Sequence, residues 1–166
     1  YVYKRQGFAL AGVAVGSNEG IQSYIIYISI YLMMNLAFFS CIFMLRRNNE
    51  YYEKIDDLSG LSKNHPILSI SLLISLFSLA GIPPLAGFFA KFYIFMAVIE
   101  EQMYALAIIG LLSTVIAAFY YLRLIKTIYF DKELEKYDTN HNIGLRVSLA
   151  ISTIIILLYF IYPSSL

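Results

Sequence analysis

A single lysine interrupts the longest apolar run of this 166-residue sequence. Lys91 lies in a segment from Pro66 to Ile99 that contains no other charged residue, and it precedes Glu100 by nine residues. In a helix that distance corresponds to roughly 13 Å, which places Lys91 near the middle of a bilayer. A charge at that depth costs at least ~2.5–3.5 kcal/mol and usually marks an ion or proton pathway. A buried lysine can release and regain a proton as nearby charge changes, so we interpret Lys91 as a candidate proton relay.

Two structural interpretations of Lys91 remain beside the relay. The side chain could extend along its aliphatic stem towards the membrane surface, or it could pair permanently with a structural carboxylate. The estimated depth exceeds the reach of a lysine side chain, which disfavours the first interpretation. The second stays open.

The residues just before Lys91 predict a break in the helix. Pro83 and Pro84 each remove a backbone donor and clash with the preceding turn, while Gly81 and Gly87 tolerate conformations that other residues resist. Irregular backbone at membrane depth persists only where protein or a water-filled cavity surrounds it. We therefore expect a broken helix, with Pro84 able to start its second half and with free backbone groups near the lysine. A simple proline kink would leave the lysine unexplained.

Other polar residues are candidate members of a proton path. Tyr120 and Tyr121 could line a hydrated route or pack in the core. Arg123 and Lys126 lie one turn apart and could take up protons or anchor their helix, because cations favour a helix C-terminus. His65 could titrate near neutral pH, although a lone loop histidine is usually ordinary. The sequence contains no metal-ligand cluster, catalytic triad or phosphate-binding loop, so we expect no cofactor on this chain.

The composition places these residues in a membrane protein. The sequence is 60% hydrophobic and 14% charged, with a mean hydropathy of +0.70, whereas soluble domains have about 45–50% apolar and 25% charged residues. Crossing the hydrocarbon core takes roughly 20 helical residues. The apolar segments predict an all-α, polytopic transmembrane helix bundle that forms a single domain. Its spans are expected at about 2–17, 21–45, 66–99 with a break at 81–87, 103–130 and 143–162.

The charges between these spans separate onto two sides. Every lysine and arginine except Lys91 lies on one side, whereas the connections on the other side carry Glu19, Glu100 and Glu101. The positive-inside rule then places the basic side in the cytoplasm or matrix and the C-terminus on the outer face. The net charge of +1 offers no footprint for nucleic acid. The lone Cys41 is expected to be an inert buried residue.

A known family shares this pattern of residues. The segment at 78–93, SLAGIPPLAGFFAKFY, resembles the broken-helix signature of the antiporter-like membrane subunits of respiratory complex I. Residues 117–126 resemble the next helix of those subunits, and residues 56–61 resemble the loop before the broken helix. The resemblance implies that the five spans are the last five of a fourteen-helix antiporter-like fold.

The resemblance also implies a function. The chain would be a proton-translocating core membrane-arm subunit of NADH:ubiquinone oxidoreductase, with Lys91 as a midplane relay coupled to electron transfer elsewhere. NADH, FMN, iron–sulfur clusters and ubiquinone would belong to partner subunits. The expected partners are the N-terminal half of the same subunit, neighbouring membrane-arm subunits and lipids such as cardiolipin. Abundant Ile, Tyr and Phe favour a mitochondrial inner membrane, with a bacterial inner membrane as the alternative.

The sequence departs from the family's pattern at one place, and two alternative functions remain beside the one that the resemblance implies. Residues 3–6 differ from the family's usual pattern, and the family's glutamate and earlier lysines would lie upstream of this sequence. Lys91 would then be the last member of the relay, and the chain alone is not expected to pump. A subunit of a cation/proton antiporter carries a similar broken helix. A non-conducting structural membrane subunit, with Lys91 permanently paired, is the other alternative.

Overall fold

A computed structural model describes the backbone of residues 2–47, 50–51, 54–132, 138–139 and 142–159, and the side chains of 7–45, 54–132 and 142–159. The helices in these ranges form the bundle that the sequence predicts, including one broken helix. They are α1 (Val2–Ala14), α2 (Asn18–Met44), α3 (Leu61–Asn64), α4 (Pro66–Ala80), α5 (Ala86–Glu100), α6 (Tyr104–Phe130) and α7 (Ile143–Leu158), with a 3-10 helix at Ile55–Leu58.

The break between α4 and α5 is shorter than predicted. The sequence predicts a break over 81–87, but α5 already begins at Ala86, so Gly87 is helical and Pro84 precedes the helix instead of starting it. The Ser78 hydroxyl explains the early start, because it accepts a hydrogen bond from the Gly87 amide at 3.0 Å and so satisfies one of the free amides of the first turn. The predicted end of the last span, 160–162, lies outside the described residues.

Local sequence signals set the other helix ends. Ser17 has extended backbone before α2, and its hydroxyl accepts a hydrogen bond from the Gly20 amide at 3.2 Å. The Asn142 side chain caps α7 in the same way, at 2.9 Å from the Gly144 amide. Pro66 occupies the first position of α4, where the missing backbone donor has no helical partner to lose.

Helix α2 lies at the centre of the bundle. It packs against α1, α4, α5 and α7, while α6 packs mainly against α4. Its buried side chains, among them Tyr27, Met34 and Cys41, recur at helical spacing. The outward faces of the bundle carry large apolar side chains such as Ile67 and Phe119, which are 78% and 67% exposed. Surfaces of this kind fit lipid or other membrane helices.

The long helices have the dimensions of membrane spans. Both α2 and α6 contain 27 residues, with mean hydropathies of 2.0 and 2.1 over their most apolar stretches. Each is about 40 Å long at 1.5 Å per residue. The helices α4 and α7 are apolar but shorter, and α4 and α5 are the two halves of one broken span.

The connections that follow α2 and α6 are partly ordered. Strand β1 (Leu45–Arg47) pairs antiparallel with β2 (Glu50–Tyr51) and with β3 (Asp138–Thr139). This small sheet joins the connection after α2 to the connection after α6. The Gly60 amide also donates to the Thr127 carbonyl at 3.1 Å, which fixes the segment before α4 against α6.

Gly87→Ala is expected to destabilise the broken helix. A Cβ at this position would overlap the carbonyl of Ser78 and lie 3.0 Å from the Met34 sulfur, and overpacking typically costs about 1–3 kcal/mol. The measurement is the amount of the full subunit that assembles in membranes, together with its thermal unfolding in detergent. Gly7→Ala is the matched control, because Gly7 is also helical and a Cβ there meets no atom within 4 Å. Equal losses in both variants would contradict this account.

Candidate functional site

The last turn of α4 has carbonyl groups that need hydrogen-bond donors. The backbone amides of residues 81 and 82 donate to the carbonyls of Ser78 and Phe77, each at 3.0 Å. This pattern is a Schellman motif, and it uses the left-handed conformation of residue 81, with φ +86°. The motif leaves the carbonyls of Leu79 and Ala80 without an amide partner from the motif itself.

Lys91 provides donors to both remaining carbonyls. Its Nζ donates to the carbonyl oxygens of Leu79 and Ala80, each at 3.1 Å. The C-terminus of a helix carries partial negative charge, which favours an ammonium group at this position. The amine also lies against Gly81, where a Cβ would come within 3.1 Å of Nζ. Lys91 therefore caps the first half of the broken helix from the second half.

Ser78 makes the corresponding contact at the start of α5. Its fully buried Oγ accepts a hydrogen bond from the Gly87 amide and donates one to the Met34 sulfur, both at 3.0 Å. Gly87 and Lys91 are four residues apart and therefore share one face of α5. From this face, the Gly87 amide and the Lys91 amine both donate hydrogen bonds to the last turn of α4. These contacts join the two halves of the broken helix.

A cavity of about 40 Å³ lies beside Lys91. One water molecule needs roughly 10–15 Å³, so the cavity has room for water. The lining is mostly apolar, but it includes residues of α2 and α6 that carry hydroxyl groups: Tyr27, Tyr31, Ser113, Thr114 and Tyr121. The hydroxyls of Ser113 and Thr114 donate to the Gly110 carbonyl of their own helix. An amine beside space for water can exchange a proton with that water.

A larger cavity of about 420 Å³ shares two lining residues, Ala117 and Tyr121, with the cavity at the amine. Tyr120 and Arg123 also line it, as does Ile55 of the 3-10 helix that follows α2. Ile55 belongs to a connection on the basic side of the protein. The two cavities are therefore adjacent, and the larger one extends to the connection that contains Ile55.

The structure brings some predicted path residues to this region and places others elsewhere. Tyr121 lines both cavities, whereas Tyr120 and Arg123 line only the larger one. His65 lies before α4 and lines a separate cavity of about 470 Å³. Lys126 is exposed on the last turns of α6. The participation of these residues in a proton path stays a prediction.

Sequence reasoning missed several residues around the amine. Tyr27 and Tyr31 are one turn apart on α2, with stacked rings whose centroids are 6.1 Å apart, and this helical spacing could have revealed them. Ser78 gave no comparable signal, because α4 contains several serines in an otherwise apolar sequence. Only the close approach of α4 and α5 distinguishes Ser78 from the others.

A bundle that contains a broken helix, with a lysine at the break, defines the class of antiporter-like membrane proteins. The family described as "NADH:quinone oxidoreductase/Mrp antiporter, TM" matches residues 4–117, and the chain belongs to this family.

Curated relatives carry a more specific name, NADH-quinone oxidoreductase subunit N. The protein of Pelagibacter ubique is 77% identical over 160 residues, which cover 96% of this chain and 34% of the relative. The protein of Paramagnetospirillum magneticum is 46% identical over 160 residues, which cover 96% and 33%. The chain thus spans about a third of the length of these relatives. They confirm the predicted resemblance, but they are bacterial and do not support a mitochondrial location.

Two solved assemblies contain chains of the same fold. Respiratory complex I from Thermus thermophilus with bound aureothin gives a TM-score of 0.78 at 19% identity, covering 95% of this chain and 35% of that chain. The Mrp complex from Dietzia sp. gives 0.79 at 20% identity, covering 95% and 38%. These likenesses confirm the antiporter-like membrane fold that the sequence predicts.

Gly81→Ala is expected to disturb the position of the Lys91 amine. Gly16→Ala is the matched control: Gly16 also has a positive φ, +71°, but a Cβ there meets no atom within 4 Å. Both variants carry the strain of a left-handed alanine, about 1 kcal/mol, and only Gly81→Ala contacts the amine. The measurement is proton transport by membrane vesicles, divided by the amount of assembled subunit. We expect a reduction for Gly81→Ala alone; equal reductions would mean that backbone strain is the cause.

Proposed function

We propose that this chain is part of a proton-translocating membrane-arm subunit of a bacterial NADH:quinone oxidoreductase, with Lys91 as its proton relay. The observation that carries the proposal is the position of Nζ, 3.1 Å from two carbonyls at the end of a broken helix. The cavity beside the amine supports it, because the cavity has room for water. The relatives at 46% and 77% identity support the choice of enzyme complex.

The proton step would depend on how many N–H donors the Lys91 amine has in each protonation state. An ammonium group has three N–H donors, and a neutral amine keeps two, enough for the carbonyls of Leu79 and Ala80. Lys91 could therefore lose a proton to the cavity while still capping α4. A positive charge arriving nearby disfavours the ammonium form, and its departure favours it again. The proton would then move in step with charge elsewhere in the complex.

The charge changes would originate in partner subunits. We assign no cofactor to this chain; NADH, FMN, iron–sulfur clusters and the quinone would be bound by other subunits. The remaining two thirds of the subunit would supply the earlier relay residues that the family resemblance implies. Neighbouring membrane-arm subunits, and lipids such as cardiolipin, would cover the exposed apolar faces.

The cavities favour proton uptake from the basic side. A proton would pass Arg123 and Tyr120 in the larger cavity, then Tyr121, and reach Lys91. Release would be towards the opposite surface, where Glu100 and Glu101 lie. With the basic side in the cytoplasm, the subunit would reside in the bacterial inner membrane with its C-terminus on the outer face.

A cation/proton antiporter subunit is the second candidate, favoured by the fold likeness to the Mrp complex. At 20% identity that likeness concerns the fold alone. Copurification of the subunit with flavin and iron–sulfur proteins would favour the oxidoreductase, and their absence from an active complex would favour the antiporter. The structural-subunit alternative needs a permanent carboxylate partner for Lys91, and a high-resolution map of the full subunit that shows a dry, salt-bridged lysine would favour it.

Replacement of Lys91 tests the relay directly. Lys91→Arg keeps the charge and the hydrogen-bond donors but does not release its proton, so it separates the cap from the relay. We expect assembled Lys91→Arg and Lys91→Met complexes to lose proton transport about a hundredfold, the low end of what proton-transfer groups contribute. Lys63→Met, which changes an exposed lysine of α3, should behave as the unchanged protein. Normal transport by either assembled Lys91 variant would refute the relay.

Fusions test the proposed orientation. Alkaline phosphatase attached after Leu166 should be active in the periplasm, and a green fluorescent protein at the same place should be dark when exported through the general secretion pathway. A fusion that ends at Lys63, on the basic side, should give the opposite result. Reversal of both patterns would contradict the orientation derived from the charges.

A further inference from the structure

We infer that Ser78 is a positioning residue for Lys91. Its hydroxyl holds the first turn of α5 beside the last turn of α4, and thereby sets where the amine meets the carbonyls of that turn. This inference rests on the proposed function of Lys91 as a proton relay. It assigns to Ser78 no contact with the transported proton.

Met34 determines which way the Ser78 hydroxyl points. A hydroxyl has one proton to donate and two lone pairs to accept with. Ser78 donates its proton to the Met34 sulfur of α2 at 3.0 Å, so its oxygen is oriented to accept from the Gly87 amide, also at 3.0 Å. Ser78 is fully buried, which excludes competition from bulk water. The central helix thus orients the contact between the two halves of the broken helix.

The start of α5 depends on this contact. Leu85 precedes the helix and offers no side-chain cap, so the sequence around the N-terminus provides no capping group of its own. Ser78 takes that role from α4. Gly87 permits the close approach, because a Cβ there would overlap the Ser78 carbonyl.

The position of α5 determines where the Lys91 amine lies. Lys91 follows Gly87 by four residues on the same face of one helix, which is about 6 Å along the axis. A shift of the first turn therefore moves the base of the Lys91 side chain by a similar amount. Both hydrogen bonds of Nζ measure 3.1 Å, so a displacement of even 1 Å would break or bend them.

Ser75 provides a matched comparison on the same helix. It is also fully buried, but its hydroxyl donates to the Ser71 carbonyl at 2.8 Å, within α4 itself. Ser75→Ala removes the same atom from the same kind of environment without touching the junction with α5. A general loss of packing would affect both serines alike.

The experiment uses the full subunit in its assembled complex, in sealed membrane vesicles. Proton transport is divided by NADH oxidation, and the amount of assembled complex is measured separately. We expect Ser78→Ala to lower this ratio about twofold or more, because transfer geometry tolerates displacements of only about 0.5 Å. Ser78→Thr keeps the hydroxyl and should restore most of the ratio, and Ser75→Ala should leave it unchanged. The double variant of Ser78→Ala with Lys91→Met should be no worse than Lys91→Met, because the two residues act through one amine.

Each other outcome overturns the inference. An unchanged ratio in assembled Ser78→Ala would show that the hydroxyl does not position the amine. Equal effects of Ser75→Ala and Ser78→Ala would assign the loss to packing. If Ser78→Ala does not assemble, the same ratio is measured for Ser78→Cys, because its thiol is a weaker hydrogen-bond acceptor than the hydroxyl. A normal ratio in Ser78→Cys would overturn the inference. Normal transport in Lys91→Met would refute the relay itself, so the two failures are distinguishable.

Discussion

The structure depends on one constraint: backbone polar groups that a broken helix exposes within a membrane must find partners inside the protein. Lipid offers no hydrogen bonds, and each unsatisfied group costs several kcal/mol. The chain meets this constraint at one junction. Two carbonyls of α4 accept hydrogen bonds from the backbone amides of a Schellman motif, and the next two accept from the Lys91 amine. The Ser78 hydroxyl accepts a hydrogen bond from an amide of α5. Gly87 is needed because a Cβ there would overlap the Ser78 carbonyl, and Gly81 is needed because its φ is +86°.

The chemistry of the proposed relay follows from the kind of partner that the lysine has. A carboxylate in a low-dielectric site would stabilise the ammonium strongly and hold its proton. Carbonyl groups at a helix end carry only partial charges, so they orient the amine and would hold its proton less strongly than a carboxylate. They also accept hydrogen bonds from a neutral amine, although these are weaker than those from an ammonium. In the proposed relay a neutral amine would keep both capping hydrogen bonds in weaker form, so proton transfer would not require the broken helix to open.

The sequence predicts the elements better than their junctions. The apolar segments and the Gly81–Gly87 pattern identify the bundle and the position of the break, because span length and proline geometry are local properties. The start of α5 at Ala86 could not be predicted, since it depends on Ser78, which lies outside α5. The hydroxyls of Tyr27 and Ser113 belong to helices far apart in sequence, so only the packing of α2 against its neighbours reveals their common cavity. The small sheet depends likewise on the pairing of two distant connections.

The sizes of the two cavities bear on how a relay could prevent leakage. The cavity on the basic side measures about 420 Å³, whereas the one beside Lys91 measures only about 40 Å³. The cavity at the amine would therefore hold far fewer water molecules than the cavity on the basic side. A continuous chain of water molecules through the membrane would conduct protons regardless of the redox state of the complex. In the proposed relay, protons would pass through the lysine at this small cavity, so the charge that controls the lysine would also control transport.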